Sequence, residues 1–159
     1  MSSLSRIAII GAGIAGLACA RRLTDAGHPA TLFDKGRGPG GRMSSRRLGD
    51  QAIDLGAQHF SARDAEFTAA VEGWRDAGVI APWPGCLYDV GEQGWLRVAD
   101  RTMRYVGSPR MSALPRHLAQ GLDVRTETRI VGLARPAGDW QLIDTQGHRH
   151  GPFERVATT

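Results

Sequence analysis

Cysteine is scarce here. Cys19 and Cys86 are the only two in 159 residues, with no C-x-x-C and no ligand spacing around them. Neither a disulfide framework nor a thiolate metal centre is expected, and a reducing compartment fits. Long apolar runs are missing as well: nothing approaches the about 20 consecutive residues of a membrane helix. The N-terminus carries no positive-then-apolar signal pattern, because Arg6 to Ile10 is only strand-length. We expect a cytoplasmic protein with no membrane partner. Lysine is almost absent, with Lys35 alone among twenty basic residues; we read this as genome composition rather than function. There is no internal repeat and no low-complexity linker.

The net charge of +4 would suit a nucleic-acid binder, but its distribution does not. Residues 1–60 hold eight basic against four acidic residues, and the remainder is balanced at twelve and twelve. Lys35, Arg37, Arg42, Arg46 and Arg47 fall in one stretch without an acid. That is a local anion site rather than a basic stripe, so no nucleic-acid partner is expected.

What is present is concentrated at residues 6–47. An apolar run, Arg6 to Ile10, meets Gly11-Ala-Gly13-Ile-Ala-Gly16; a helix follows to Ala26, then a second apolar run, Ala30 to Phe33, ends in Asp34. This is a βαβ unit with a dinucleotide fingerprint. Gly11 permits the tight turn, Gly13 lets backbone approach a pyrophosphate, and Gly16 lets helix and sheet pack closely. The helix N-terminus offers unpaired N–H groups and a positive dipole end. Asp34 is placed to accept from a ribose diol and would repel a 2′-phosphate, which favours FAD or NAD over NADP. A second glycine loop, Gly40-Gly41-Arg42-Met43, begins six residues past Asp34. Its backbone and its arginine suit phosphate oxygens, and a nicotinamide dehydrogenase has no need of it.

Further along, residues 44–48 and 52–55 read as a hairpin about Gly49-Asp50. Residues 64–77 read as a helix capped by Ser61, with Phe67, Ala70, Val71 and Trp74 on one face. Short antiparallel strands are expected in 79–107. A helix capped by Ser108 is expected from Pro109 to about Gln120, with Pro115 inside it. Strands are expected at 123–125, 129–134 and 140–144, and a last one at 153–158, where we expect truncation. In the first helix, Ile14, Leu17, Ala18, Cys19 and Ala20 face a sheet, and Arg21, Arg22 and Asp25 face outward.

Gly11-Ala-Gly-Ile-Ala-Gly16, Asp34-Lys35, Gly40-Gly-Arg-Met43 and Asp54-Leu-Gly-Ala-Gln-His59 together resemble the amine-oxidase-like flavoproteins, most closely their renalase-like branch. Gly107-Ser-Pro-Arg-Met-Ser-Ala113 resembles that family's return helix. The resemblance implies an FAD cofactor and roles for particular residues. Gly11, Gly13, Ile14, Ala15 and Gly16 would line the pyrophosphate. Asp34 would hold the adenosine ribose with Lys35 beside it, and Gly41, Arg42 and Met43 would run past the phosphates. Gln58 and His59 would sit near the flavin ring. It also implies hydride transfer from a dihydronicotinamide species or an amine to the flavin, and electrons to oxygen. Two departures stand beside it: Gly38 occupies the place where broader amine oxidases carry arginine, with Arg37 shifted by one, and the family chains are longer.

Individual residues carry plainer readings too. His59 is a candidate catalytic residue, or simply a satisfied polar side chain. Arg46 and Arg47 read equally as a solvated strand face or as phosphate-steering charge. Trp74, Trp83, Trp95 and Trp140 read as core or domain packing, and His148 with His150 as no metal site.

The expectation is therefore an α/β, doubly wound FAD-binding domain of residues 1–60 and 108–159, with 61–107 as part of a β-rich substrate domain. The alternatives are a truncated, non-catalytic module that oligomerises through an unpaired sheet edge, and an NAD-dependent reductase.

Overall fold

The computed structural model describes residues 6–159 except Gln93, Arg101 and Ala137. Strand β1 (Ile7–Ile10), helix α1 (Ile14–Asp25) and strand β2 (Ala30–Phe33) open the chain. A 3-10 turn over Gly41–Met43 leads into the hairpin β3 (Ser45–Leu48) and β4 (Gln51–Asp54), then helix α2 (Ala65–Asp76). Four short strands follow: β5 (Ile80–Pro82), β6 (Tyr88–Gly91), β7 (Gly94–Arg97) and β8 (Tyr105–Gly107). Helix α3 (Ala113–Ala119) precedes β9 (Asp123–Arg125), β10 (Ile130–Ala134), β11 (Trp140–Asp144), β12 (Arg149–Phe153) and β13 (Arg155–Thr158).

A parallel sheet in the order β13-β1-β2-β9 forms the centre. Strand β1 is paired along both edges and packs against a layer on each face, so its sequence is apolar throughout. Alternation decides which layer each residue meets. Ile7, Ile9, Ala30 and Leu32 pack in one core with Leu17 and Ala20 of α1 and Leu114 and Leu118 of α3. Ala8 and Phe33 point the other way, into a second core with Leu142 and Phe153 of the antiparallel sheet β10-β11-β12. The fold is thus three layers: helices, parallel sheet, antiparallel sheet. Burying one such Leu, Ile or Phe side chain stabilises by about 1.5–3 kcal/mol.

This is the Rossmann-like α/β class that the fingerprint implies, with an antiparallel sheet covering the second face and several local differences. Ala18 is exposed, while Arg21 turns inward and donates from Nε to the Leu118 C=O at 2.9 Å and from its terminal nitrogen to the Gln120 C=O. Arg21 therefore caps the C-terminal end of α3, satisfying carbonyls the helix leaves open. Helix α2 is capped by Asp64, whose Oδ1 accepts from the Phe67 N–H at 3.0 Å, not by Ser61. Asp64 is three residues before that N–H, the N-cap spacing.

The third helix begins at Ala113, not at Pro109. Gly107 packs so closely on Arg110 and Met111 that a Cβ there would collide with their backbone, and the intervening residues form turns. Pro115 is buried as the third helical residue, where no N–H has an intrahelical partner to lose. The last apolar segment is two strands with Glu154 between them; its N–H donates to the Arg6 C=O at 2.8 Å. Strand β13 pairs in parallel with β1. Trp95 is 75% exposed on the β6-β7 hairpin, so it is no core residue. Its ring meets Tyr88 edge-on at 6.4 Å.

Candidate functional site

The C-terminal ends of β1 and β2 meet two glycine loops. The first runs from Gly11 to the start of α1, and its first intrahelical bond is Leu17 N–H to the Gly13 C=O at 3.0 Å. The N–H groups of Ile14, Ala15 and Gly16 therefore have no intrahelical acceptor, and the first turn carries no acid. The second loop lies directly against the first. Gly40 bridges Gly13, and the Gly40 N–H donates to the Ala12 C=O at 2.9 Å.

Glycine is required at these contacts for definite reasons. A Cβ on Gly41 would lie 3.2 Å from the Gly13 Cα, at a φ of +52°. A Cβ on Gly13 would project into the crevice between the loops, with the Gly41 Cα at 4.0 Å. A Cβ on Gly16 would run into the carbonyl oxygen of Gly11, so Gly16 sets the distance from α1 to the strand end. Gly11, at φ +110°, packs against Thr159, whose N–H donates to the Ile10 C=O at 3.0 Å.

Asp34 ties the site together. Its Oδ2 accepts from the Ala12 N–H and its Oδ1 from the Gly36 N–H, each at 2.7 Å. Its own carbonyl accepts from the Thr128 N–H at 2.8 Å, while the Gly36 carbonyl accepts from Glu127 at 2.8 Å. Glu127 adopts a φ of +53°, and the return segment after β9 is thereby pinned beside the acid. A carboxylate has about four lone-pair sites, so two acceptor positions on Asp34 remain for a ligand.

A cleft of about 390 Å³ opens between the loops. Of the sequence candidates, Gly11, Gly13, Ile14, Ala15, Asp34, Lys35, Gly41, Arg42 and Met43 all border it. Gly16 does not: it is a packing residue beneath the turn. Gln58 and His59 also lie outside it. They follow Gly56, whose neighbour Ala57 donates its N–H to the Arg42 C=O at 2.8 Å, so their segment is braced against the second loop. His59 stacks on Trp83 at 5.1 Å with ring planes 8° apart, and its buried Nδ1 has no partner among the described residues. Sequence reading missed Phe33, Thr128, Arg129, Ile130 and Thr159, which complete the wall. Arg129 brings a further cation to the cleft, but no motif marks it.

The residues fit a dinucleotide. Free N–H groups, a crevice that a side chain would fill, and Arg42 and Arg129 suit a diphosphate; the carboxylate suits a ribose.

A second polar centre lies behind Phe33. Asp144, 7% exposed, receives the N–H groups of Gln146 at 2.8 Å and His148 at 2.9 Å. Its Oδ2 also meets His148 Nδ1 at 3.2 Å and His150 Nε2 at 2.9 Å. Burial alone would raise its pKa, but the His150 bond and the two N–H groups outweigh that and hold it down at about 2. The two histidines thus share a carboxylate partner that their own spacing does not reveal. His150 also packs on the Phe33 ring at 5.1 Å.

Fold and cleft together define a Rossmann-like α/β domain whose cleft fits a dinucleotide. Residues 9–72 match the family model described as an NAD(P)-binding Rossmann-like domain. The 4,4'-diapophytoene desaturase of Staphylococcus aureus strain Newman is 36% identical over 74 residues, covering 45% of this chain and 15% of that protein. Its counterpart in strain MRSA252 is 43% identical over 51 residues, 32% of this chain and 10% of the relative. The chain thus spans only a small part of the curated relatives it matches. Among solved structures, a candidate protoporphyrinogen oxidase of Exiguobacterium sp. 255-15 superposes with a TM-score of 0.75 at 14% identity, over 100% of this chain and 60% of that one. A candidate FAD-containing monooxygenase of Photorhabdus luminescens subsp. laumondii TTO1 gives 0.64 at 16% identity, over 98% and 39%. At these identities the likeness establishes the fold.

Proposed function

We propose that the chain is the dinucleotide-binding part of an FAD-dependent oxidoreductase. The carrying observation is the second glycine loop: it lies on the first across the Gly13–Gly40 bridge and brings Arg42 to the same cleft. A nicotinamide site needs only the first loop. The relatives' names, which include desaturases and an FAD-containing monooxygenase, agree with flavin chemistry.

In this reading the residues divide the work. Asp34 binds the adenosine ribose, and the N–H groups at the start of α1 together with Arg42 neutralise the diphosphate. Met43 and the segment of Gln58 and His59 approach the ring end. When bound, the flavin supplies the redox chemistry, accepting a hydride and passing electrons to oxygen. The donor is a dihydronicotinamide species or an amine, as in the renalase-like branch, and the protein is cytoplasmic. Residues 1–60 and 108–159 form the flavin domain, and 61–107 contribute to a substrate domain. The test is reconstitution: purified protein should take up FAD and turn yellow. Protein that stays colourless with excess FAD would overturn the reading.

A second reading is a non-catalytic module that associates with further protein. Tyr88, Val90 and Trp95 are exposed on one face of a two-stranded hairpin, an apolar surface of the kind partners cover. Light scattering decides: a monodisperse monomer carrying reducible flavin excludes it.

A further inference from the structure

A second cleft, of about 900 Å³, lies on the other side of the loop that follows Asp34. Lys35 and Arg37 enter it from that loop, Arg46 and Arg47 from β3, and Arg116 from α3. Among the described residues Asp34 is the only acid on its lining, and both of its oxygens are already bonded to backbone N–H groups. None of the five cations takes part in an ion pair among the described residues. Arg6, Arg22, Arg75, Arg104 and Arg125, by contrast, each have a carboxylate partner. Unpaired like charges gathered in a concave site repel one another and raise the local potential for anions.

The cleft also has a built wall. Ser45 Oγ donates to Asp54 Oδ1 at 2.6 Å and accepts from the Ser112 N–H at 3.1 Å, while the Met111 N–H donates to the same Asp54 oxygen at 3.1 Å. This network fixes β3, β4 and the turn before α3 relative to one another. It places Ser112, which is 4% exposed and lines the cleft, yet its hydroxyl has no partner among the described residues. A buried hydroxyl without a partner is costly, and native structures rarely keep one without use.

We infer that this cleft binds the phosphate or diphosphate of a phosphorylated small molecule, held by Arg46, Arg47 and Arg116 with the Ser112 hydroxyl as a further donor. The concave shape and the buried serine favour a small ligand over a flat anionic surface. A dihydronicotinamide dinucleotide belongs to this chemical class, but the inference does not rest on the flavin reading. The two clefts share Asp34, Lys35 and Gly41, but Arg46, Arg47, Ser112 and Arg116 line only the second, so substitutions there separate the two sites.

The experiment is calorimetric titration of inorganic pyrophosphate into FAD-saturated protein and into Gly13→Val, whose first cleft is blocked. One saturable site per chain is expected in both. Arg46→Ala with Arg116→Ala should weaken it by about tenfold or more, the scale of charge-assisted hydrogen bonds. Ser112→Ala is the sharper variant: it should weaken pyrophosphate binding while leaving Tm unchanged or raised, because it removes an unpaired buried hydroxyl. Three results would overturn the inference: no saturable binding, binding that FAD displaces, or binding indifferent to all these substitutions. Capture by phosphatidylserine vesicles without pyrophosphate binding would overturn it in favour of a membrane surface.

Discussion

Asp34 Oδ2 accepts the Ala12 N–H at 2.7 Å, joining the end of β2 to the first glycine turn across 22 residues of sequence. The acid therefore shapes the turn, and in the proposed reading its remaining acceptor positions meet a ribose. Asp34→Ala should do double damage: the turn loses its anchor and a ligand loses its acceptor. Each hydrogen bond to a charged group contributes about 1.5–3 kcal/mol. FAD affinity should fall by at least that amount in Asp34→Ala and by less in Asp34→Asn, which keeps one acceptor. Fluorescence titration with FAD checks the order.

Gly13 and Gly16 should separate binding from folding. Gly13→Val places its side chain in the crevice between the loops, where a diphosphate would lie. The protein should keep its Tm and lose dinucleotide binding. Gly16→Ala instead drives a methyl into the Gly11 carbonyl, so α1 must shift and stability should drop by about 1–3 kcal/mol. Equal loss of stability in both variants would contradict this assignment.

Arg42→Ala tests the second loop by itself. Arg42 is exposed at the rim of the cleft, and its backbone carbonyl, not its side chain, holds Ala57. Binding should weaken by about 1.5–3 kcal/mol with Tm unchanged.

The Asp144 centre sets an acid limit. Its folded pKa is about 2 against an ordinary 3.8, so its contribution to stability is present above 3.8 and is lost as pH falls through about 2. Asp144→Asn should flatten the pH dependence of unfolding across that window and lower stability at neutral pH, because His150 loses its charged partner. Urea midpoints at pH values above and below the window measure both effects.

The sequence made the first βαβ unit legible because its signals are local: apolar runs, glycines and an acid at fixed offsets. The same holds for the hairpin around Gly49-Asp50 and for the apolar stripe of α2. What stayed hidden depends on distant partners. Arg129 and Thr159 reach the cleft only because β9 and β13 pair with β2 and β1 and carry the residues that follow them to the strand ends, which no local pattern encodes. Two capping residue types, Ser61 and Asp64, precede one apolar run, so local pattern alone does not single out the Asp64 cap of α2. Helix α1 carries charge on several sides, and only the end of α3, distant in sequence, gives Arg21 its inward partners. His148 and His150 looked isolated because Asp144 precedes them across a turn between strands.

The most direct measurement is a titration of purified, FAD-free protein with FAD, followed by flavin fluorescence, alongside a parallel titration with NAD. The account predicts one saturable FAD site per chain, weakened in Arg42→Ala and abolished in Gly13→Val. Tight NAD binding with no affinity for FAD, or FAD binding untouched by both substitutions, would contradict it.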